Sequence, residues 1–136
     1  GREFESDSDS EVLLAGLADH GPDFLDAAVG MFAFALWRPA DRTLLLARDR
    51  MGEKPLYFGW AGKSFVFASE LKAIAAHPDF EPRMDRRAVA ALMRYSYIPA
   101  PISIYEGIER LLNPHPIKNL LMGTSKNGPF GMMLGV

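Results

Sequence analysis

The sequence contains no cysteine. That excludes a disulfide framework, a thiolate metal site and a cysteine nucleophile within these 136 residues. A reducing compartment fits, and the chain is expected to be cytoplasmic. Excess charge is lacking too: 15 Lys and Arg stand against 17 Asp and Glu, for a net charge of -2. Neither nucleic acid nor an anionic membrane surface is therefore expected as a partner. No apolar run approaches the length of a membrane span, and no basic-then-apolar start reads as a signal peptide. Histidine is scarce. His20, His77 and His115 fall at expected helix ends or in loops, without metal-ligand spacing, so capping or surface roles are expected and no metal site. No serine sits in a nucleophile elbow, and no glycine-rich phosphate loop occurs.

What is present is ordinary globular composition, 49% apolar and 24% charged, at the length of one domain or a piece of one. The organising stretch runs from Gly30 to Tyr57. Phe32, Phe34 and Leu36 fall on one face of a strand, and Ala33, Ala35 and Trp37 on the other. Both faces are apolar, so this strand is expected to be covered on both sides. The polar break Arg38-Pro39-Ala40-Asp41-Arg42 fits a hairpin loop, with Thr43 to Ala47 returning. The charged loop Asp49-Arg50-Met51-Gly52-Glu53-Lys54 follows.

Around that hairpin the pattern is mixed. Ser8 and Glu11 have capping-box spacing ahead of an apolar helical stripe of Val12, Leu13, Leu14 and Leu17. Gly21 ends that helix, and Pro22 starts a second, short one reaching about Ala28. Tyr57 to Trp60 and Ser64 to Ala68 read as a second hairpin turning at Ala61-Gly62-Lys63. A short helix follows Ser69-Glu70 and runs through Ala76. Asp85 can cap a helix from Arg86 to about Tyr95, with Val89, Leu92 and Met93 inward and three arginines outward. Ile98-Pro99-Ala100-Pro101 is an extended linker, and Ile104 to Ile108 reads as a helical turn. Residues 113–136 are rich in glycine and methionine with poor periodicity, and a divergent, poorly ordered tail is expected there.

Few residues stand out as chemical. Arg48-Asp49-Arg50 reads first as a loop ion-pair cluster. Asp9 is an early-turn acid favoured by the helix dipole. Met31 reads as core filler.

Taken in order, these stretches resemble the glutaminase domain of glutamine-hydrolysing asparagine synthetase, a class II glutamine amidotransferase. The resemblance rests on Ser8-Asp9-Ser10-Glu11-Val12-Leu13-Leu14, on Gly30 to Trp37 and on Ala47-Arg48-Asp49-Arg50-Met51-Gly52-Glu53-Lys54-Pro55-Leu56-Tyr57. Phe67-Ala68-Ser69-Glu70-Leu71-Lys72-Ala73 and the exit Tyr97-Ile98-Pro99-Ala100-Pro101 with Ile104 to Ile108 complete it. It covers residues 4–112, a partial domain of that type.

The resemblance implies an α+β chain with the N-terminal-nucleophile hydrolase fold, a four-layer αββα sandwich. It also implies a mechanism. An N-terminal cysteine attacks the glutamine amide with its own amino group as base, and the released ammonia travels to a synthetase domain that adenylates aspartate. Asp9 matches the aspartate that binds the α-amino group of glutamine, a fitting task for a carboxylate. Met31 matches a position lining the ammonia channel. Arg48, Asp49 and Lys54 match the pattern in a structural role only. Glutamine is the implied substrate. ATP and Mg2+ belong to the full-length enzyme, and no cofactor is expected in this chain.

Departures accompany the match. The cysteine, the arginine-glycine-proline and asparagine-glycine-glutamate segments and the synthetase domain are absent from this sequence. The stretch from Asn113 does not match, and Glu53 stands where a small apolar residue is common. The chain is therefore expected to be an inactive piece of a longer polypeptide. Its partners would be the N-terminal strands and synthetase domain of that polypeptide, with a homodimer allowed in the full-length form. Two alternatives stay open: an amidotransferase of another carboxylate, β-lactam or polysaccharide pathway, and a non-catalytic module with the same fold.

Overall fold

A computed structural model describes residues 5, 8–40, 42–112 and 120–121. Helix and sheet are mixed, as an α+β chain requires. The chain divides into two compact units, Gly1–Gly30 and Met31–Val136.

The first unit holds α1 (Asp9–His20) and a 3-10 turn over Gly21–Asp26. Ser8 caps α1, its hydroxyl accepting from the Ser10 amide at 3.3 Å. The Glu11 carboxylate accepts from the amide of Glu5, at 2.9 Å. Asp9 and Glu11 lie in the first turn, where acidic side chains suit the helix dipole, and His20 lies in the last. Gly21 ends the helix at φ 66°, and Pro22 opens the 3-10 turn, which stops at Asp26 rather than near Ala28. The Phe24 ring lies over Gly16, where a Cβ would strike it. The expected apolar stripe is only partly formed: Leu13 and Leu17 are half-buried, and Val12 and Leu14 are exposed. Two leucines and a valine in succession cannot all share one face of a helix.

The second unit is built on two antiparallel three-stranded sheets. The first has the order β1 (Ala33–Arg38), β2 (Thr43–Arg48), β6 (Leu120–Leu121). The second has the order β4 (Ser64–Ala68), β3 (Tyr57–Ala61), β5 (Ile108–Arg110). Ala33 pairs with Arg48 and Arg38 with Thr43, so the expected first hairpin is in register. The second hairpin turns at Gly62-Lys63, with Ala61 still in strand.

The two sheets share one core. Leu44 and Leu46 of β2 meet Phe65 and Phe67 of β4, with Leu56 and Leu111 closing the cluster and Ala33, Ala35 and Phe58 packed on it. The other face of the second sheet is covered by α2 (Leu71–Ala75): Ile74 packs with Val66, Ala68, Ile108 and Phe80. Sheet, sheet and helix thus stack as three layers.

The buried strand of the first hairpin is β2, not β1. Phe34 and Leu36 are half-buried, and Trp37 is exposed at the strand's end. Two apolar faces do not cover themselves. Ala33 and Ala35 reach the shared core, and their small side chains leave Leu44 and Leu46 to fill it.

Asp85 caps α3 (Arg86–Tyr95) as expected, accepting from the Arg87 amide at 2.8 Å. Its other oxygen takes the Arg87 guanidinium at 2.7 Å. That side-chain hydrogen bond, against the burial that opposes it, holds the carboxyl down at about 2. The inward face expected for α3 is not the one seen. Ala88 is buried, Val89 is half-buried, Leu92 is exposed and Met93 is 82% exposed. The span Ile104 to Ile108 is no helical turn; Gly107, at φ 75°, turns the chain into β5. The tail expected over 113–136 lies outside the described residues, apart from Leu120–Leu121, which pair with Leu44 and Thr43.

Candidate functional site

Asp9 stands at the first position of α1, one residue inside the Ser8 cap, and is exposed. A carboxylate there sits at the positive end of the helix dipole. An exposed carboxylate can accept charge-assisted hydrogen bonds from an ammonium group. Met31 opens the second unit, just before β1, and is 61% exposed. It is not core filler. Gly30 ahead of it has φ 137°, a conformation that L side chains resist.

The charged loop after β2 is held by several hydrogen bonds. Asp49 is 1% exposed. Its amide donates to the carbonyl of Phe32 at 2.8 Å, tying the loop to the entry of β1. Its carboxylate accepts from the amides of Glu53 at 2.9 Å and Lys54 at 3.0 Å. Burial pushes this acid up, but the amides of Lys54, Glu53 and Gly52 and the nearby Arg48 charge outweigh it, and the carboxyl lies below its ordinary value.

Arg48 does not pair with this carboxylate by hydrogen bond. Its Nη1 donates to the Leu111 carbonyl at 2.7 Å and its Nη2 to the Gly52 carbonyl. The ion-pair cluster expected here is therefore a backbone-clamping network instead. The carboxylate serves part-buried amides of the loop, and the guanidinium serves the part-buried carbonyl of Gly52 and the buried one of Leu111. A strand followed by Arg-Asp-Arg signals a polar loop, but nothing in that spacing tells which backbone groups it clamps.

The histidines fall as expected where described. His20 sits in the last turn of α1 and stacks on Phe24, and His77 accepts from the Asp79 amide at 3.2 Å. His115 lies outside the described residues. Sequence reasoning missed Arg110, which pairs across the ladder with Tyr57.

A family model described as "Glutamine amidotransferase domain" matches residues 1–127. The chain belongs to the glutamine amidotransferase domain family. Within that family it is similar to "Asparagine synthetase [glutamine-hydrolyzing] 3" of Bacillus subtilis, 39% identical over 118 residues, which are 86% of this chain and 19% of that protein. It is also similar to a "Putative asparagine synthetase [glutamine-hydrolyzing]" of Mycobacterium tuberculosis, 36% identical over 114 residues, 82% of this chain and 18% of the relative. A second putative asparagine synthetase, from Methanocaldococcus jannaschii, is 34% identical over 111 residues, 80% of this chain and 22% of the relative. The chain spans about a fifth of the length of the curated relatives it matches. Asp9, Met31 and the Arg48–Lys54 loop all lie within the residues matched to the amidotransferase domain.

Proposed function

We propose that this chain is the later portion of the glutaminase domain of an asparagine synthetase, with the four-layer αββα architecture of N-terminal-nucleophile hydrolases. The observation that carries the reading is the stacking of two antiparallel sheets on one apolar core with α2 outside the second, in a chain matched to the amidotransferase domain. The half-buried outer face of β1, with Phe34 and Leu36, is suited to carrying the fourth layer.

In this reading Asp9 binds the α-amino group of glutamine. It orients the substrate so that its side-chain amide meets a cysteine thiolate supplied by a preceding segment. Attack at the amide carbon expels ammonia and leaves a thioester, which water hydrolyses to glutamate. Met31, exposed at the entry of β1, lines the route by which ammonia leaves; its thioether neither protonates nor traps an amine. No group of three or more His, Asp or Glu among the described residues could hold a metal ion. The ATP and Mg2+ of asparagine synthesis are assigned to a synthetase domain of the longer enzyme. The domain boundary is drawn at 4–112, with a homodimer as a further partner of the longer form. No helix among the described residues is long and apolar enough to cross a membrane, and the cytoplasm is proposed as the compartment.

The 136-residue chain incubated with glutamine is expected to release no glutamate above buffer, because it has no attacking thiol. Steady turnover by the purified chain, surviving repurification, would refute the reading.

A further inference from the structure

A side chain that lines a route for ammonia must stand in one place, yet Met31 is exposed and no core wedges it. Its neighbour behind gives little support. Gly30 stands at φ 137°, and a Cβ there would meet nothing within 4 Å. Its neighbour ahead is fixed on two sides. The Phe32 carbonyl accepts from the Asp49 amide at 2.8 Å, and the Phe32 ring lies 5.8 Å from that of Phe34 in β1. Met31 takes its position from Phe32, across one planar peptide.

The Asp49 amide is held in turn by the closure of its own loop. The Asp49 carboxylate accepts from the amides of Glu53 and Lys54, and its carbonyl accepts from the Gly52 amide at 3.0 Å. Arg48, opposite Ala33 in the ladder, donates to the Gly52 carbonyl and ties the same loop to Leu111. The loop closes around the Asp49 side chain and presents the Asp49 amide to the start of β1.

We infer that Asp49 is a positioning residue for ammonia delivery: it fixes Phe32 and thereby sets where Met31 stands. The identity of the cargo rests on the glutamine reading; the positioning rests on geometry within the Met31–Val136 unit. The chemistry suits the task. An acid close to a route for free ammonia is a hazard, since a carboxyl would give ammonia its proton and a carboxylate would hold the ammonium formed. Asp49 is buried, and both of its carboxylate oxygens are occupied by amides. Burial opposes the charge, but the amides and Arg48 outweigh it and hold the carboxyl below its ordinary value. It serves the route through backbone and not through its charge.

The test is nuclear magnetic resonance on the full chain with 13C-methyl methionine, Met31 being assigned by its loss in Met31→Leu. Met93, exposed on α3, is the control. In the wild type the Met31 backbone is expected to be as rigid as β1, with an order parameter of about 0.85. Asp49→Asn turns an amide nitrogen toward donors and opens the loop. The Met31 methyl is then expected to shift and narrow several-fold more than that of Met93. Arg48→Lys keeps the charge but gives up the fork, and it is read in the same way should Asp49→Asn fail to fold. In the longer enzyme, Asp49→Asn is expected to raise the glutamate formed per asparagine several-fold without raising KM for glutamine. The inference is overturned if the wild-type Met31 order parameter lies below about 0.6. It is overturned equally if the Met31 methyl stays put in a folded variant, if Met31 and Met93 move alike, or if the glutamate-to-asparagine ratio is unchanged. The methyl spectra do not depend on Asp9, so the glutamine reading stands or falls separately, on the kinetics of Asp9→Asn.

Discussion

Asp49→Ala is expected to destabilise the chain by about 1–3 kcal/mol, because it strips the acceptor from two part-buried amides and removes a buried side chain that ties the loop together. The two amides are those of Glu53 and Lys54, and the carboxylate that serves them is 1% exposed. The loss also travels. Asp49 is anchored to Phe32 through its own amide, and the Arg48 clamp on Gly52 holds the other side of the loop. Freeing residues 49–54 therefore loosens both the entry of β1 and the contact of β2 with Leu111. A urea titration read by tryptophan fluorescence measures the effect, since Trp37 and Trp60 lie on the two sheets.

Acid provides an independent check of the same group. The folded-state pKa of Asp49 is depressed, so its stabilisation is complete above the unfolded value, about 3.9. It is lost as pH falls through the folded value. The wild-type midpoint should thus fall below about pH 4 more steeply than that of Asp49→Ala, which has no such proton to take up.

Gly59→Ala is the second large effect. Gly59 pairs with Val66 on one side and Ile108 on the other, at the centre of the second sheet. A Cβ there would collide with the carbonyl oxygen of Gly107 and lie 2.6 Å from Cδ1 of Ile108. The isoleucine can rotate; a backbone carbonyl can yield only if β5 shifts from β3. The expected cost is about 3 kcal/mol, or on the order of 10 °C in thermal midpoint. Gly107→Ala is the control. Its Cβ meets nothing within 4 Å, and it suffers only the strain of φ 75°, about 1 kcal/mol. Equal losses in the two variants would show that close approach is not what Gly59 provides.

Local chemistry made part of this fold legible. Ser8, Gly21, Asp85 and the turn at Gly62 mark their element ends because caps and positive φ depend on single residues. The strand positions of both hairpins were equally readable. Coverage was not: an apolar face does not state what lies on it, which is why β1 is half-buried and Met93 is exposed. β5 escaped notice because its three residues carry two charges and gain strand geometry only from pairing with β3. Asp9 is proposed as a site residue from its place in a motif. The partners of Asp49 and Arg48 were hidden because they are backbone groups, and every residue supplies those alike.

Kinetics of Asp9→Asn test the central claim most directly. The measurement is glutamine hydrolysis by a fusion that places a cysteine-bearing amidotransferase N-terminal segment ahead of Gly1. Losing a charge-assisted contact to the substrate ammonium should raise KM for glutamine about 10–100-fold while kcat changes only a few-fold. An unchanged KM in an active fusion would contradict the account, because the α-amino group would then be held by something other than Asp9.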